Sequence, residues 1–150
     1  MITIEEVKAL REETGLSIMQ CRKALEEAGG DKVKAISLLK EKGAEIASKK
    51  GDRTLGAGTV AAYIHAGDTV GVILELLSET DFVAKNPEFK AVAKDIAMHV
   101  AAMNPEDTKA LLEQPYIKDG NKTISDIING TVQKFGERTE IGRFARFSIR

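Results

Sequence analysis

The sequence is poor in the residues that build covalent cross-links and metal sites. It contains a single cysteine, Cys21, so no disulfide can form within the chain. Its two histidines, His65 and His99, do not form the spacing of a zinc site with Cys21. We therefore expect no bound metal and no cofactor. A chain without disulfides also fits the reducing cytoplasm.

Long apolar runs and an excess of charge of one sign are also missing. No stretch approaches the ~18 apolar residues of a membrane-spanning helix, and no apolar segment follows a basic start. Lysine plus arginine number 22 and aspartate plus glutamate 23, which gives a net charge of −1. This balance argues against a general nucleic-acid-binding protein. We expect a soluble protein of one or two small domains whose direct partners include neither membrane nor nucleic acid.

Helix start and stop signals divide the chain into three parts. Residues 1–43 predict a bundle of three short helices, each of which begins at a residue that can cap a helix: Thr3, Ser17 and Asp31. Glycines end these helices, and we expect the third helix to end at Gly43. Residues 44–58 predict a polar linker, and residues 59–150 predict a separate core domain.

The core domain combines strand-like and helix-like patterns. Two strands, 59–66 and 69–77, flank a tight turn, and the second is apolar at nearly every position, as in a central strand covered on both faces. A helix begins at Pro87 and carries His99 on its polar side, and the alternating residues 141–150 predict a last strand. The predicted fold class is α+β: a three-helix bundle, then helices packed on about three antiparallel strands.

The junction between the second strand and the Pro87 helix contains an acid and an aromatic residue, Asp81 and Phe82. Connections of this kind normally run over the protein surface, whereas large apolar side chains are usually buried. One interpretation makes Asp81 a helix cap and packs Phe82 against Phe89 or Val83. The other presents Phe82 to a partner, and the local pattern leaves both open.

The sequence offers little for covalent catalysis. It has no Gly-x-Ser-x-Gly motif and no Cys–His nucleophile pair, so we expect no catalytic residues. His65, late in the first strand, is either a solvent-facing residue or a partner contact. Glu75 and Glu79 lie on one face of a strand, because their spacing is even. An enzyme that used these three residues would need a deep pocket between the sheet and the helices.

Several separated motifs resemble one family in the correct order. Residues 80–86, Thr-Asp-Phe-Val-Ala-Lys-Asn, closely resemble the signature of the elongation factor Ts family. Residues 13–36 are similar to that family's N-terminal three-helix module, which is like a ubiquitin-associated domain. Residues 42–50 resemble its linker, and residues 111–116 and 143–147 resemble the end of its core.

This resemblance implies a function and a set of contacts. Members of the family exchange guanine nucleotide on elongation factor Tu, which they bind in its GDP-bound and nucleotide-free states, without covalent chemistry of their own. The contact region near the magnesium site of the GTPase would consist of Thr80, Asp81, Phe82 and Val83, with Phe82 as a wedge. The contact region of the N-terminal module would consist of Leu16, Ile18 and Met19, although the spacing of these residues equally suits the bundle's own core.

The sequence departs from longer family members between Met103 and Leu111, where they carry further helices and a second core subdomain. Shorter members resemble it better and are dimeric, which implies a homodimer. An alternative function is an adaptor that binds peptides through the ubiquitin-associated-like bundle. That alternative requires binding by residues 1–45 alone and no role for Phe82.

Overall fold

A computed structural model describes residues 1–149, and the N-terminal part is helical as predicted. Three helices, α1 (Ile4–Thr14), α2 (Ile18–Glu27) and α3 (Lys32–Lys49), begin at the predicted caps. Their apolar faces meet in one hydrophobic cluster around fully buried Leu10 and Cys21. Cys21 is therefore a small core residue of the bundle.

Helix α3 does not end at Gly43, contrary to the prediction, but continues to Lys49. The reason is a close helix crossing. A Cβ atom at Gly43 would lie 2.7 Å from the side-chain oxygen of Gln133, on a helix of the core. Glycine therefore serves here as the smallest residue at an interface rather than as a helix stop. The division of the chain into domains stays a prediction.

The core is an α+β structure, as predicted. Strands β1 (Ala57–Ile64), β2 (Val70–Ser78) and β5 (Glu140–Ser148) form an antiparallel sheet in the order β1-β2-β5. The helices are α4 (Asp81–Ala84), α5 (Pro87–Met103), α6 (Thr108–Glu113) and α7 (Ile124–Phe135). A short ribbon of β3 (Pro115–Tyr116) and β4 (Asp119–Thr123) lies between α6 and α7. Arg150, in the predicted last strand, lies outside the described residues.

The two faces of the sheet differ in burial. Val72, Leu74 and Leu76 of the central strand point to the inner face, where they pack in one cluster with Phe89 and Ile96 of α5. On the outer face, large apolar side chains are exposed: Val60, Ile64, Ile73, Phe147 and Ile149. The prediction that β2 is covered on both faces is therefore wrong for the outer face of this single chain. Among residues 1–149, no helix has the length and apolarity needed to cross a membrane.

His99 is fully buried on α5, and the prediction that it lies on the polar side of the helix is wrong. Its Nδ1 accepts a hydrogen bond from the backbone N–H of Ile117 at 3.3 Å, so its Nε2 carries the proton and donates to Gln114 Oε1 at 2.9 Å. These two bonds satisfy the neutral ring, and they attach the β3–β4 ribbon to α5.

The burial of His99 predicts a stability that depends on pH. Burial lowers the pKa of His99 below its ordinary value of 6.5, and the bond to Gln114 opposes this shift. Below that pH the unfolded chain binds more protons than the folded chain, so the free energy of unfolding falls as the pH drops. Denaturant titrations at about pH 7.5 and about pH 5.5 should detect the fall, because carboxylates titrate mainly below this window. The fall should be smaller in His99→Gln and unchanged in the exposed control His65→Gln. An equal fall in all three proteins would contradict the assignment.

Candidate functional site

The strand-to-helix junction contains a single helical turn, α4, which Thr80 caps. Thr80 has extended backbone angles (φ −128°, ψ 155°), and its Oγ1 accepts a hydrogen bond from the backbone N–H of Val83 at 3.4 Å. Asn86 then caps α5 by accepting from the backbone N–H of Glu88 at 2.8 Å. Asp81 is the first residue of the turn, so its interpretation as the cap is wrong.

The turn buries one side and exposes the other. Val83 and Ala84 are 5% and 2% exposed, whereas the side chain of Phe82 is 87% exposed. The interpretation of Phe82 as a packing residue is therefore wrong, and the aromatic contact of Phe89 is instead with Phe135, at a centroid distance of 5.7 Å. The fold thus presents Phe82 and the exposed Asp81 together at the surface.

Two carboxylates hold this turn against the segment that follows α7. Glu137 Oε1 accepts from the backbone N–H groups of Glu79 (3.1 Å) and Thr80 (3.0 Å), and Glu137 Oε2 accepts from the hydroxyl of Thr80 at 2.7 Å. In return, the carboxylate of Glu79 accepts from the backbone N–H of Arg138. We call these reciprocal bonds the carboxylate clamp. It ties the β2–α4 junction to the α7–β5 junction.

Sequence reasoning did not find Glu137 or Arg138. They follow Gly136, which ends α7 in the left-handed conformation with φ 73°. Their partners in the clamp are separated from them by 57 to 59 positions along the chain. A charged pair after a helix-ending glycine is ordinary surface sequence, so no local signal distinguishes these two residues.

The three residues of the enzyme interpretation do not converge on one site. Glu75 binds Arg143, whose side-chain and backbone hydrogen bonds lower the pKa of Glu75 to about 2. Glu79 belongs to the clamp. His65 pairs by its backbone N–H with Val70, five positions before Glu75, which places it about 17 Å away along the strand. Within residues 1–149, no cluster of three or more ligating side chains could hold a metal ion.

His65 also lies far from Phe82. It is exposed beside the β1–β2 turn, and its Nδ1 is 3.0 Å from the hydroxyl of Tyr63. The other end of the hairpin, where Ala57 pairs with Ser78, adjoins Thr80. The length of β1 separates these two ends by about 27 Å. A partner that contacts both residues must therefore span the whole hairpin.

The three candidate contacts of the N-terminal bundle differ in exposure. Leu16 is 6% exposed and packs in the bundle's own hydrophobic cluster. Ile18 and Met19, at the start of α2, are 50% and 82% exposed. Met19 borders a groove of about 280 Å³ between α2 and α3, whose floor includes Leu38. Ile18 and Met19 are therefore accessible to a partner, whereas Leu16 belongs to the core of the bundle.

The bundle and the turn are joined through the packing of α3 on α7. Besides the crossing at Gly43, Lys40 of α3 pairs with Asp126 of α7 at 3.2 Å. Later in α7, Lys134 pairs with Glu88 at the start of α5. The same helix thus contacts the bundle at its middle and carries the clamp residue Glu137 just beyond its end.

Comparison with known proteins identifies relatives over almost the whole chain. A family model described as Elongation factor TS matches residues 79–150. Elongation factor Ts of Desulforamulus reducens is 38% identical over 193 aligned positions, which cover 99% of this chain and 89% of the relative. Elongation factor Ts of Thermodesulfovibrio yellowstonii is 40% identical over 192 positions, which cover 99% of this chain and 96% of the relative. Both alignments are longer than the 150 residues of this chain, so the relatives contain residues that it lacks.

Proposed function

This chain belongs to the elongation factor Ts family of translation factors, and we propose that it is a guanine nucleotide exchange factor for elongation factor Tu. In this proposal it binds the GDP-bound GTPase in the cytoplasm and accelerates release of GDP. It needs no cofactor, carries out no covalent step and makes no direct contact with nucleic acid. The exposure of Phe82 on a capped turn is the observation that carries the proposal.

The proposed target of Asp81 and Phe82 is the region of the GTPase around its magnesium ion. Magnesium keeps several water ligands and is held by few protein ligands, so small shifts of those ligands weaken its site. Phe82 enters the GTPase as an apolar wedge, and Asp81 disturbs the polar contacts around the ion. Thr80 and Val83 act from within this chain, because Thr80 caps the turn and Val83 anchors it in the core.

The energy of one phenylalanine is too small for the whole effect. Burial of Phe82 contributes about 1.5–3 kcal/mol. A thousandfold acceleration of release corresponds to a barrier lowered by about 4 kcal/mol. The proposal therefore requires a second contact, which we assign to Ile18 and Met19, two exposed apolar residues at the start of α2. Ile18 and Met19 increase the affinity for the GTPase, whereas Phe82 increases the rate of nucleotide release.

Thermodynamic linkage limits how strongly the factor can bind. If the factor weakens nucleotide binding, nucleotide must weaken binding of the factor by the same amount. The factor therefore binds the nucleotide-free GTPase most tightly and leaves when nucleotide returns. This cycle accounts for catalysis of exchange without hydrolysis.

The first prediction of the proposed function concerns the rate of nucleotide release. The native chain should accelerate the release of a fluorescent guanine nucleotide from elongation factor Tu. Phe82→Ala should lower the maximal rate at least tenfold, which corresponds to an activation barrier raised by about 1.4 kcal/mol. Phe82→Leu, which keeps part of the apolar surface, should give a maximal rate between those of the native chain and Phe82→Ala. Stability should change by less than about 0.5 kcal/mol in both variants, because the side chain is exposed. No acceleration by the native chain would reject the proposed function, and a normal rate with Phe82→Ala would reject the wedge.

The second prediction separates affinity from rate. Replacing both Ile18 and Met19 with serine should raise the half-saturating concentration of the factor about tenfold, because central apolar contacts dominate interface energy. The maximal rate should remain close to that of the native chain. Val33→Ser is the matched control, because Val33 is also an exposed apolar residue of the bundle, 77% accessible. An unchanged half-saturating concentration in the double variant would remove the bundle from the mechanism.

We further propose that two copies of this chain pair through the outer face of the sheet. This face exposes Ile73 at its centre, with Ile64 and Phe147 on either side of Gly71. A contiguous apolar patch of this kind is typical of an interaction site. The apolar pattern of β2 is that of a strand covered on both faces, yet one chain covers only the inner face. Sheet-on-sheet contact about a twofold axis supplies the missing cover.

The homodimer predicts a specific effect of charge on the outer face. Ile73→Lys should convert the dimer to a monomer, since two buried ammonium groups would meet near the twofold axis. Sedimentation velocity at micromolar concentration measures the change. The control Val33→Lys should leave the mass unchanged. A monomeric native chain, or a dimer that survives Ile73→Lys, would contradict this interface.

A further inference from the structure

We infer that Glu137 is a positioning residue for nucleotide exchange: it holds the Thr80 cap so that α4 presents Phe82 in the conformation that enters the GTPase. This inference rests on the proposed function. Glu137 does not touch the partner in this scheme. It acts through Thr80, and its effect is therefore measured both on exchange and on the free chain.

The geometry of the three hydrogen bonds explains how Glu137 acts. Its Oε2 accepts a hydrogen bond from the hydroxyl of Thr80 at 2.7 Å, which leaves the lone pairs of Thr80 Oγ1 free to accept from Val83 N–H. Its Oε1 accepts hydrogen bonds from the backbone N–H groups of Glu79 and Thr80. A carboxylate suits this position because it accepts at both oxygens and donates at neither. One side chain thus orients the cap and fixes the extended backbone that precedes it.

The turn needs this support because it is too short to be stable alone. Helix α4 contains four residues, and an isolated turn of this length is unfavourable, since nucleation fixes several dihedral angles for one hydrogen bond. Val83 and Ala84 anchor only its inner side. Phe82 lies on the outer side and is 87% exposed, so burial does not fix its direction. The capped end at Thr80 is therefore the point at which the orientation of Phe82 is determined.

A fixed turn benefits binding because the ordering cost is met before the partner arrives. A side chain or loop that becomes ordered on binding reduces the affinity and the rate by that cost. The clamp adds a second restraint, since Glu79 accepts in return from Arg138 and also pairs with Arg53 at 3.6 Å. Glu137 differs from Glu79 in that it alone contacts the cap hydroxyl.

Glu137→Gln tests the inference with almost no change of shape. In either amide orientation, one oxygen acceptor becomes an N–H₂ donor, which then faces the Thr80 hydroxyl or the two backbone N–H groups. The maximal rate of stimulated nucleotide release should fall about fivefold, as charge-assisted bonds of this type are the strong ones. On the free chain, the amide hydrogen of Val83 should exchange with solvent at least about fivefold faster, while amides of the sheet keep their protection.

Asp107→Ala is the matched control. Asp107 caps α6 by accepting from the backbone N–H of Ala110 at 2.8 Å, so its loss also removes a cap of a short helix. This variant should expose the Ala110 amide to exchange and leave both the Val83 amide and the maximal release rate unchanged.

Thr80→Val provides a second test. If Glu137 acts through the Thr80 hydroxyl, the double variant should be no slower than the slower single variant.

Each outcome decides between distinct explanations. A normal release rate and normal Val83 protection in Glu137→Gln would overturn the positioning role and leave the proposed function intact. An equal loss of release rate in Glu137→Gln and Asp107→Ala would also overturn it, because a merely structural role follows overall stability. Additive effects of Glu137→Gln and Thr80→Val would also overturn it, because Glu137 would then act independently of the Thr80 hydroxyl. If the native chain fails to accelerate release, the proposed function fails and this inference fails with it.

Discussion

Burial of the inner face of β2 is the constraint on which the rest of the structure depends. Val72, Leu74 and Leu76 are at most 2% exposed, and a slip of one residue would turn all three toward the outer face. This register fixes the end of the strand at Ser78, whose hydroxyl donates to the carbonyl of Thr80. The position of the α4 turn therefore follows from the packing of the sheet on α5, and the clamp refines it.

The packing of α3 on α7 extends this constraint to the N-terminal bundle. At Gly43 the two helices lie close together: a Cβ atom there would lie 2.7 Å from Gln133 Oε1 and 3.5 Å from the carbonyl oxygen of Asn129, so a larger residue would require Gln133 to move. Because α3 belongs to the bundle and α7 leads into Glu137, this one interface relates both exposed surfaces to each other.

The features that the sequence predicted correctly are those encoded by neighbouring residues. Caps such as Thr3 and Asp31 act within a few positions, and the alternation of β5 follows from the period of a strand. The failures at Gly43 and His99 involve contacts between distant parts of the chain. The sequence pattern at Gly43 predicts a helix stop, but in the structure this glycine packs against α7. The pattern at His99 predicts an exposed residue, but its ring is buried and hydrogen-bonded to Gln114 and Ile117. Glu137 gave no signal for the same reason.

The exposure of Phe82 gains its meaning from this difference between local and distant contacts. Local pattern allowed a packed Phe82, and only the inward direction of Val83 and Ala84 turns its ring outward. An exposed aromatic ring adds little to the stability of the free chain, and it gains the free energy of burial only when a partner covers it. An exchange factor must also leave when nucleotide returns, which favours a small, rigid wedge and a separate docking surface over one large interface. In the proposed function, the capped turn and the exposed start of α2 are this pair of surfaces.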